Sequence, residues 1–167
     1  MTQEQKDLLL KDLCARLLYG VKIALKNNGA YHHENIAKKG DVTIEILKGF
    51  NGNYFSIRHT NPLDWDWYDD DIDIEDIKPY LFPLSSMTEE QRIELYKVLG
   101  WGYESHYHLS KEWEDFNNSI DNNDLFIPAS WVSDLNKMYN WFNKNHFDYR
   151  GLIPMDLAID ATGKNIY

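Results

Sequence analysis

The largest group of residues in this sequence whose side chains could bind a ligand or take part in catalysis is acidic. Residues 61–77 read NPLDWDWYDDDIDIEDI and contain neither Lys nor Arg. The carboxylates in this run are Asp64, Asp66, Asp69, Asp70, Asp71, Asp73, Glu75 and Asp76. They account for most of the formal net charge of −10, so the rest of the chain is nearly balanced. Charge confined to one segment indicates a local use for it.

Aromatic side chains among these carboxylates favour a surface that binds a partner. Protein interfaces use aromatic anchors ringed by charge, and a local acidic field steers a basic partner towards them. The predicted contact set is Asp64, Trp65, Asp66, Trp67, Tyr68, Asp69, Asp70, Asp71 and Asp73. Two other interpretations fit the same residues. One is a solvated loop or edge strand whose charge discourages pairing, and the other is a mimic of a nucleic-acid backbone.

Metal binding and catalysis have weaker sequence support. The acidic run lacks the Gly and Glu spacing of an EF-hand loop, so no calcium site is predicted. His106 and His108 could share one face of an extended segment and form an alternative metal pair, yet no cysteine pair accompanies them. His146 and Asp148 form an alternative acid–base pair without a nucleophile motif. No cofactor is predicted.

Composition limits the class of protein. A chain of 167 residues with 43% hydrophobic and 14% aromatic residues has enough apolar surface for one compact domain. The single cysteine, Cys14, excludes an internal disulfide, and its place in a leucine stripe predicts packing inside. No apolar run is long enough to span a membrane, and a pI near 4.9 argues against binding nucleic acid or anionic lipid. We expect a cytoplasmic protein.

The local pattern predicts an α+β fold that positions these groups, with one domain over residues 1–167. A capping box at Thr2 begins the first helix, and residues 21–25 alternate as a strand. Asn51-Gly52 predicts a hairpin between residues 41–50 and 54–59. Residues 78–84 contain two prolines, which predicts an edge strand or an extended connection. The remaining helices are predicted at residues 86–99, where a capping box starts the helix, at 110–119, and at 130–146, where Ser130 is the cap. The sheet is therefore small and antiparallel, packed with about four helices.

Three stretches resemble uncharacterised small proteins of phages and mobile elements of gut bacteria. They are residues 11–22 (KDLCARLLYGVK), 76–90 (DIKPYLFPLSSMTEE) and 143–152 (NKNHFDYRGL). Where these proteins are expected to have proline, Leu18 stands here. The resemblance implies an accessory protein of a mobile element and brings no activity, cofactor or catalytic residue with it.

The leading functional expectation is a non-enzymatic interaction protein of phage or mobile-element origin. It would bind a host or phage protein with a basic surface through the acidic segment, and counteracting a host defence is a role consistent with that origin. The alternatives are a hydrolase that uses a metal or the His146–Asp148 pair, and a structural or assembly component. The sequence predicts no particular oligomeric state.

Overall fold

A computed structural model describes residues 1–26, 40, 42–52, 54–59, 68–100 and 111–167, with residues 59 and 68–71 described by their backbone alone. The strands are β1 (Lys22–Lys26), β2 (Val42–Phe50), β3 (Phe55–His59), β4 (Tyr68–Ile72), β5 (Ile77–Leu81) and β6 (Ile159–Asp160). The α-helices are α1 (Gln3–Arg16), α2 (Glu89–Leu99), α3 (Lys111–Asp121) and α4 (Leu135–Lys144). Short 3₁₀ turns lie at Leu17–Tyr19, Ile74–Asp76, Leu84–Ser86 and Ala129–Asp134. The fold is α+β, as predicted.

The strands form one sheet in the order β4-β3-β2-β1-β5-β6. Neighbouring strands are antiparallel except β5 and β6, which run parallel, so the sheet is mixed where an antiparallel one was predicted. The exception arises because β6 follows the helices and returns to the sheet far along the chain. Among the described strands, β4 and β6 are at the two ends of the sheet.

The predicted hairpin at Asn51-Gly52 is confirmed. The Tyr54 amide donates to Asn51 Oδ1 (2.9 Å) and the Asn51 amide donates to the Tyr54 carbonyl (3.1 Å), which closes the loop. Gly52 has a φ of +100°, a value that side chains with a Cβ rarely adopt. Phe50 pairs with Phe55 across the loop, and a bulge follows between Leu47 and Gly49.

Residues 77–81 form an inner strand, which corrects the prediction of an edge strand there. β5 lies between β1 and β6 although Pro79 has no N–H to donate. The Leu81 carbonyl accepts the Ala161 amide (2.8 Å) on the β6 side, and residue 79 faces that same side. Since β6 pairs only with Tyr80 and Leu81, Pro79 lies just before the ladder begins and no ladder bond is lost.

Helix α1 begins where predicted but buries a different stripe. Thr2 and Gln5 form both hydrogen bonds of a capping box. The buried positions are Leu9, Asp12, Leu13 and Arg16, which follow the three-four spacing of one helix face. Cys14 is exposed, so the prediction that it packs inside is wrong. The buried face contains a carboxylate and a guanidinium that an apolar pattern does not reveal.

The other predicted helices exist with shifted starts. The cap of α2 is Thr88, whose hydroxyl accepts the Gln91 amide, and Gly100 ends the helix with a φ of +77°. Helix α4 begins at Leu135 after a 3₁₀ turn, so Ser130 does not cap it, and the Ser130 hydroxyl donates to Glu112 instead (3.1 Å).

Two large apolar clusters and a small third one, around Ala24, Tyr80 and Ala161, form the described core. One lies between α1 and the sheet, and its fully buried members include Leu9, Leu13, Ile23 and Leu47. The other lies among α2, α3 and α4, centred on Phe116, Met138, Trp141 and Phe142. The chain from the end of β5 to Leu84 joins them, and Phe82 bridges to Phe147 beside it.

Candidate functional site

The acidic segment joins the sheet through its second half. Asp64, Trp65, Asp66 and Trp67 lie outside the described residues, so their predicted role in binding stays a prediction. Tyr68, Asp69, Asp70 and Asp71 form the backbone of β4, which pairs with β3. Three successive aspartates therefore lie on a strand at the end of the described sheet.

The C-terminal end of the segment is fixed to the body of the protein. Ile72 is fully buried in the sheet cluster and pairs with Phe55. Asp73 caps the 3₁₀ turn at Ile74–Asp76 by accepting the Glu75 amide (3.1 Å). Glu75 forms an ion pair with Lys6 of α1 (2.7 Å). Asp73, predicted as a partner contact, thus has a local structural bond, and Ile72 anchors the strand that carries Asp69 to Asp71.

A buried ionic network joins the two halves of the molecule. Arg16 and Asp12 are both fully buried, and their side chains make a two-point contact (Nε to Oδ2 2.7 Å, Nη2 to Oδ1 2.9 Å). Arg150 donates a third hydrogen bond to Asp12 Oδ1 (2.9 Å). Because one carboxylate serves two guanidinium groups, Asp12 is the charge on which the network depends.

Arg16 also bonds to the main chain beyond α4. Its Nη2 donates to the Phe147 carbonyl (2.8 Å), and Nη1 lies 3.5 Å from the Phe142 carbonyl. The Tyr149 ring lies under both cations, 4.5 Å from Arg150 Cζ and 5.7 Å from Arg16 Cζ. Burial raises the pKa of Tyr149, so the ring stays neutral. These contacts tie α1 to the turn after α4.

His146 lies beside this network in a constrained conformation. Its φ of +59° is in the left-handed region that residues with side chains seldom occupy. The ring stacks on Tyr167 with centroids 4.1 Å apart, and its buried Nδ1 has no hydrogen-bond partner among the described residues. Burial, assisted by the positive charge of Arg16, lowers the pKa of His146 to about 4. The imidazole is therefore neutral near pH 7.

Asp148 shapes a turn. Its Oδ1 accepts the Leu152 amide and its Oδ2 accepts the Ile153 amide, both at 2.8 Å. Burial raises the pKa of Asp148, while the two amides oppose that shift. The carboxylate also lines a cavity of about 400 Å³ with Pro83, Asn123 and Pro154. Each oxygen therefore accepts one backbone hydrogen bond of this turn.

The alternative catalytic pair is close in sequence but is not joined in space by a described hydrogen bond. His146 and Asp148 flank Phe147, whose neighbours bond to Phe82: the Phe82 amide donates to the His146 carbonyl, and the Asp148 amide donates to the Phe82 carbonyl. His106 and His108 lie outside the described residues. Within the described ranges no group of three or more His, Cys, Asp or Glu side chains could hold a metal ion.

A second cavity of about 460 Å³ lies between α2 and α3. Arg92 donates to Asn117 Oδ1 (3.3 Å) and pairs with Asp121, and the Tyr96 hydroxyl donates to the same Asn117 oxygen. Burial raises the pKa of Tyr96 to about 12, so the phenol remains a donor. Arg92, Tyr96, Asn117 and Asp121 are thus joined by hydrogen bonds along this cavity.

Sequence reasoning missed the buried pair Asp12 and Arg16, their half-buried partner Arg150, and the hydrogen bonds of the Tyr167 hydroxyl. The four-residue spacing of Asp12 and Arg16 is a signal for an ion pair on a helix. It does not distinguish an exposed pair from one that is fully buried, because the distinction depends on Arg150 and two carbonyls far along the chain.

Comparisons with protein-family models, curated proteins and solved structures gave no match. Within the described residues, no helix combines the length and the apolar character needed to cross a membrane.

Proposed function

We propose that this chain is a non-enzymatic interaction protein of a phage or mobile element, which binds a host or phage protein with a basic surface. The observation that carries the proposal is that part of the acidic segment forms β4, which lies at one end of the described sheet. Interference with a host defence is the proposed consequence of binding, and its support is the sequence resemblance alone.

The position of β4 supports a defined mode of binding. A strand at a sheet end presents backbone N–H and C=O groups that a partner can use by adding a strand. Asp69, Asp70 and Asp71 follow one another on β4, so their charge would repel an acidic strand and favour a basic one. Backbone pairing would supply affinity, and the carboxylates would supply selectivity.

The anchoring of β4 supports binding without large rearrangement. Ile72 is buried and Asp73 and Glu75 are engaged locally, so the strand backbone is held before a partner arrives. Less conformational entropy is then lost on binding than for an unattached acidic tail.

Replacing Asp69, Asp70 and Asp71 together with Ser tests the proposal by affinity capture from a lysate of the bacterial host. We expect the bound protein to fall by about tenfold or more, since several interfacial charges are lost at once. The matched control replaces Glu4, Glu114 and Asp124, which are exposed and lie outside the segment, with Ser. This control variant changes the net charge by the same amount as the β4 variant, and it should capture as much of the bound protein as the wild type does. Equal capture by both triple variants would refute the role of β4.

A further inference from the structure

The sheet has a second face, here called the outer face, which is turned away from α1 and is basic. Cross-strand partners share a face, and three of the rows that the register defines on it carry cations. One row is Lys22, Ile46 and Arg58, the next is Lys78, Ala24 and Ile44, and the third is Lys26 and Val42. These described rows contain four cations and no carboxylate.

Part of the outer face is exposed. The side of β5 and β6 is covered, because Ala24, Tyr80 and Ala161 pack with Ile166. Over β1, β2 and β3 four described side chains of this face are exposed: Val42 by 60%, Ile44 by 37%, and Lys26 and Arg58 as well. The exposed part therefore combines aliphatic and cationic side chains.

Two of the cations bond to described residues, and two form no ion pair with a described residue. Lys78 pairs with Asp156 (2.6 Å), and Lys22 Nζ donates to the Ile166 carbonyl. For Lys26 and Arg58, no ion pair with another described residue occurs. A partner for this area should carry acidic groups to meet Lys26 and Arg58, with apolar groups to meet Val42 and Ile44.

We propose that the outer face binds the acidic segment, residues 61–77, of a second copy of this chain. That segment combines eight carboxylates with Trp65, Trp67 and Tyr68, which is the complementary composition. Every copy carries both the segment and the face, so a two-fold dimer makes the contact twice. The inference rests on the proposed function in one respect, namely that the acidic segment is a binding surface.

The charge pattern selects this contact over two others. Pairing of β4 with β4 of another copy would bring like charges together on adjacent strands, which is unfavourable. Nucleic acid would meet a protein of net charge −10, which repels its phosphates.

Sedimentation of the purified full chain over a range of concentrations tests the inference, at about 0.1 M and about 1 M salt, where the Debye length falls from about 10 Å to about 3 Å. We expect self-association at the lower salt and its loss at the higher. Reversing the charge of Lys26 and Arg58 (K26E with R58E) should weaken self-association by about tenfold or more. The control is K97E with K144E, two exposed lysines outside the face, which should behave as wild type.

A charge-swap experiment decides whether the face and the segment meet. The K26E/R58E variant mixed with a D69K/D70K/D71K variant should form a heterodimer, although each variant alone is monomeric. A wild type that is monomeric at every concentration and salt would overturn the inference. Equal self-association of the wild type and the K26E/R58E variant would overturn it as well. If the triple Ser variant loses capture of a host protein while the wild type is monomeric, the proposed function stands and this inference fails.

Discussion

Arg16 is the residue at which the helical half and the sheet half of the molecule meet. A guanidinium with no exposure to water requires a counter-charge and partners for its N–H groups, and Asp12 with two main-chain carbonyls supplies them. The bonds to residues 142 and 147 can form only when α1 and the turn after α4 are both in place. The network therefore makes the docking of α1 specific.

Truncation of Asp12 should be among the most destabilising single changes. Asp12→Ala leaves Arg16 buried without a counter-charge and beside Arg150, so we expect a loss of about 3–5 kcal/mol in the free energy of unfolding. Arg16→Met should cost less, because Asp12 keeps Arg150 as its partner. Urea denaturation measures both, with the exposed Lys11→Ala in the same helix as control. An Asp12→Ala loss no larger than that of the control would contradict the account.

His146 should make stability depend on pH. Folding lowers its pKa from 6.5 to about 4, so between these values the unfolded chain binds a proton that the folded chain does not. The contribution is fully present above pH 6.5 and is lost as the pH falls towards 4, by roughly 3 kcal/mol in total.

His146→Asn removes this titration and keeps a side chain that tolerates positive φ. Thermal or urea unfolding at several pH values should show a flatter profile between pH 6.5 and pH 4 for the variant than for the wild type. Parallel profiles would show that another group controls the pH dependence.

At the scale of the elements, Tyr167 completes the sheet between β1 and β5. Their ladder ends at the pair Ile23 and Pro79, and the next backbone groups are bridged by the Tyr167 hydroxyl. This hydroxyl accepts the Lys22 amide (3.1 Å) and donates to the Tyr80 carbonyl (2.8 Å). Burial raises the pKa of Tyr167 to about 12, so the hydroxyl keeps its proton for the bridge.

Tyr167→Phe should therefore destabilise the protein by about 1–2 kcal/mol, because it leaves two backbone groups without their partner. Amide hydrogen exchange at Lys22 should accelerate at the same time. Tyr54→Phe is the control, since Tyr54 lies in the hairpin loop, away from the Lys22–Tyr80 bridge in the chain, and is exposed to the same degree as Tyr167 (42% against 43%). No change in exchange at Lys22 would show that the bridge does not form.

The sequence predicted correctly those features that depend on interactions between residues close together in the chain. The capping box at Thr2 and the hairpin at Asn51-Gly52 depend on residues a few positions apart, and both are present. The inner position of β5 could not be predicted, because Pro79 is tolerated only through the short length of β6 eighty residues later.

The candidate site was predictable in composition but not in placement. The acidic run is visible from charge alone, whereas its attachment through β4 depends on pairing with β3. The burial of Asp12 and Arg16 depends on Arg150 and on the chain near Phe147. Long-range contacts of this kind leave no periodic pattern in the sequence.

At the scale of the whole molecule, the sheet carries charge of opposite sign on different parts. The acidic aspartates of β4 lie at one end, and the cations of the outer face lie on β1, β3 and β5. Because the acidic and basic areas are separate, each can attract a partner of opposite charge in a defined orientation. The proposed site for a basic partner is therefore the β4 end of the sheet.

Affinity capture by the wild-type protein from a lysate of the proposed bacterial host, at about 0.1 M and about 1 M salt, tests the proposed binding most directly. The account predicts one stoichiometric host or phage protein with a basic surface, retained at the lower salt, released at the higher, and identified by mass spectrometry. Retention of no protein at either salt, or retention that salt does not affect, would contradict it.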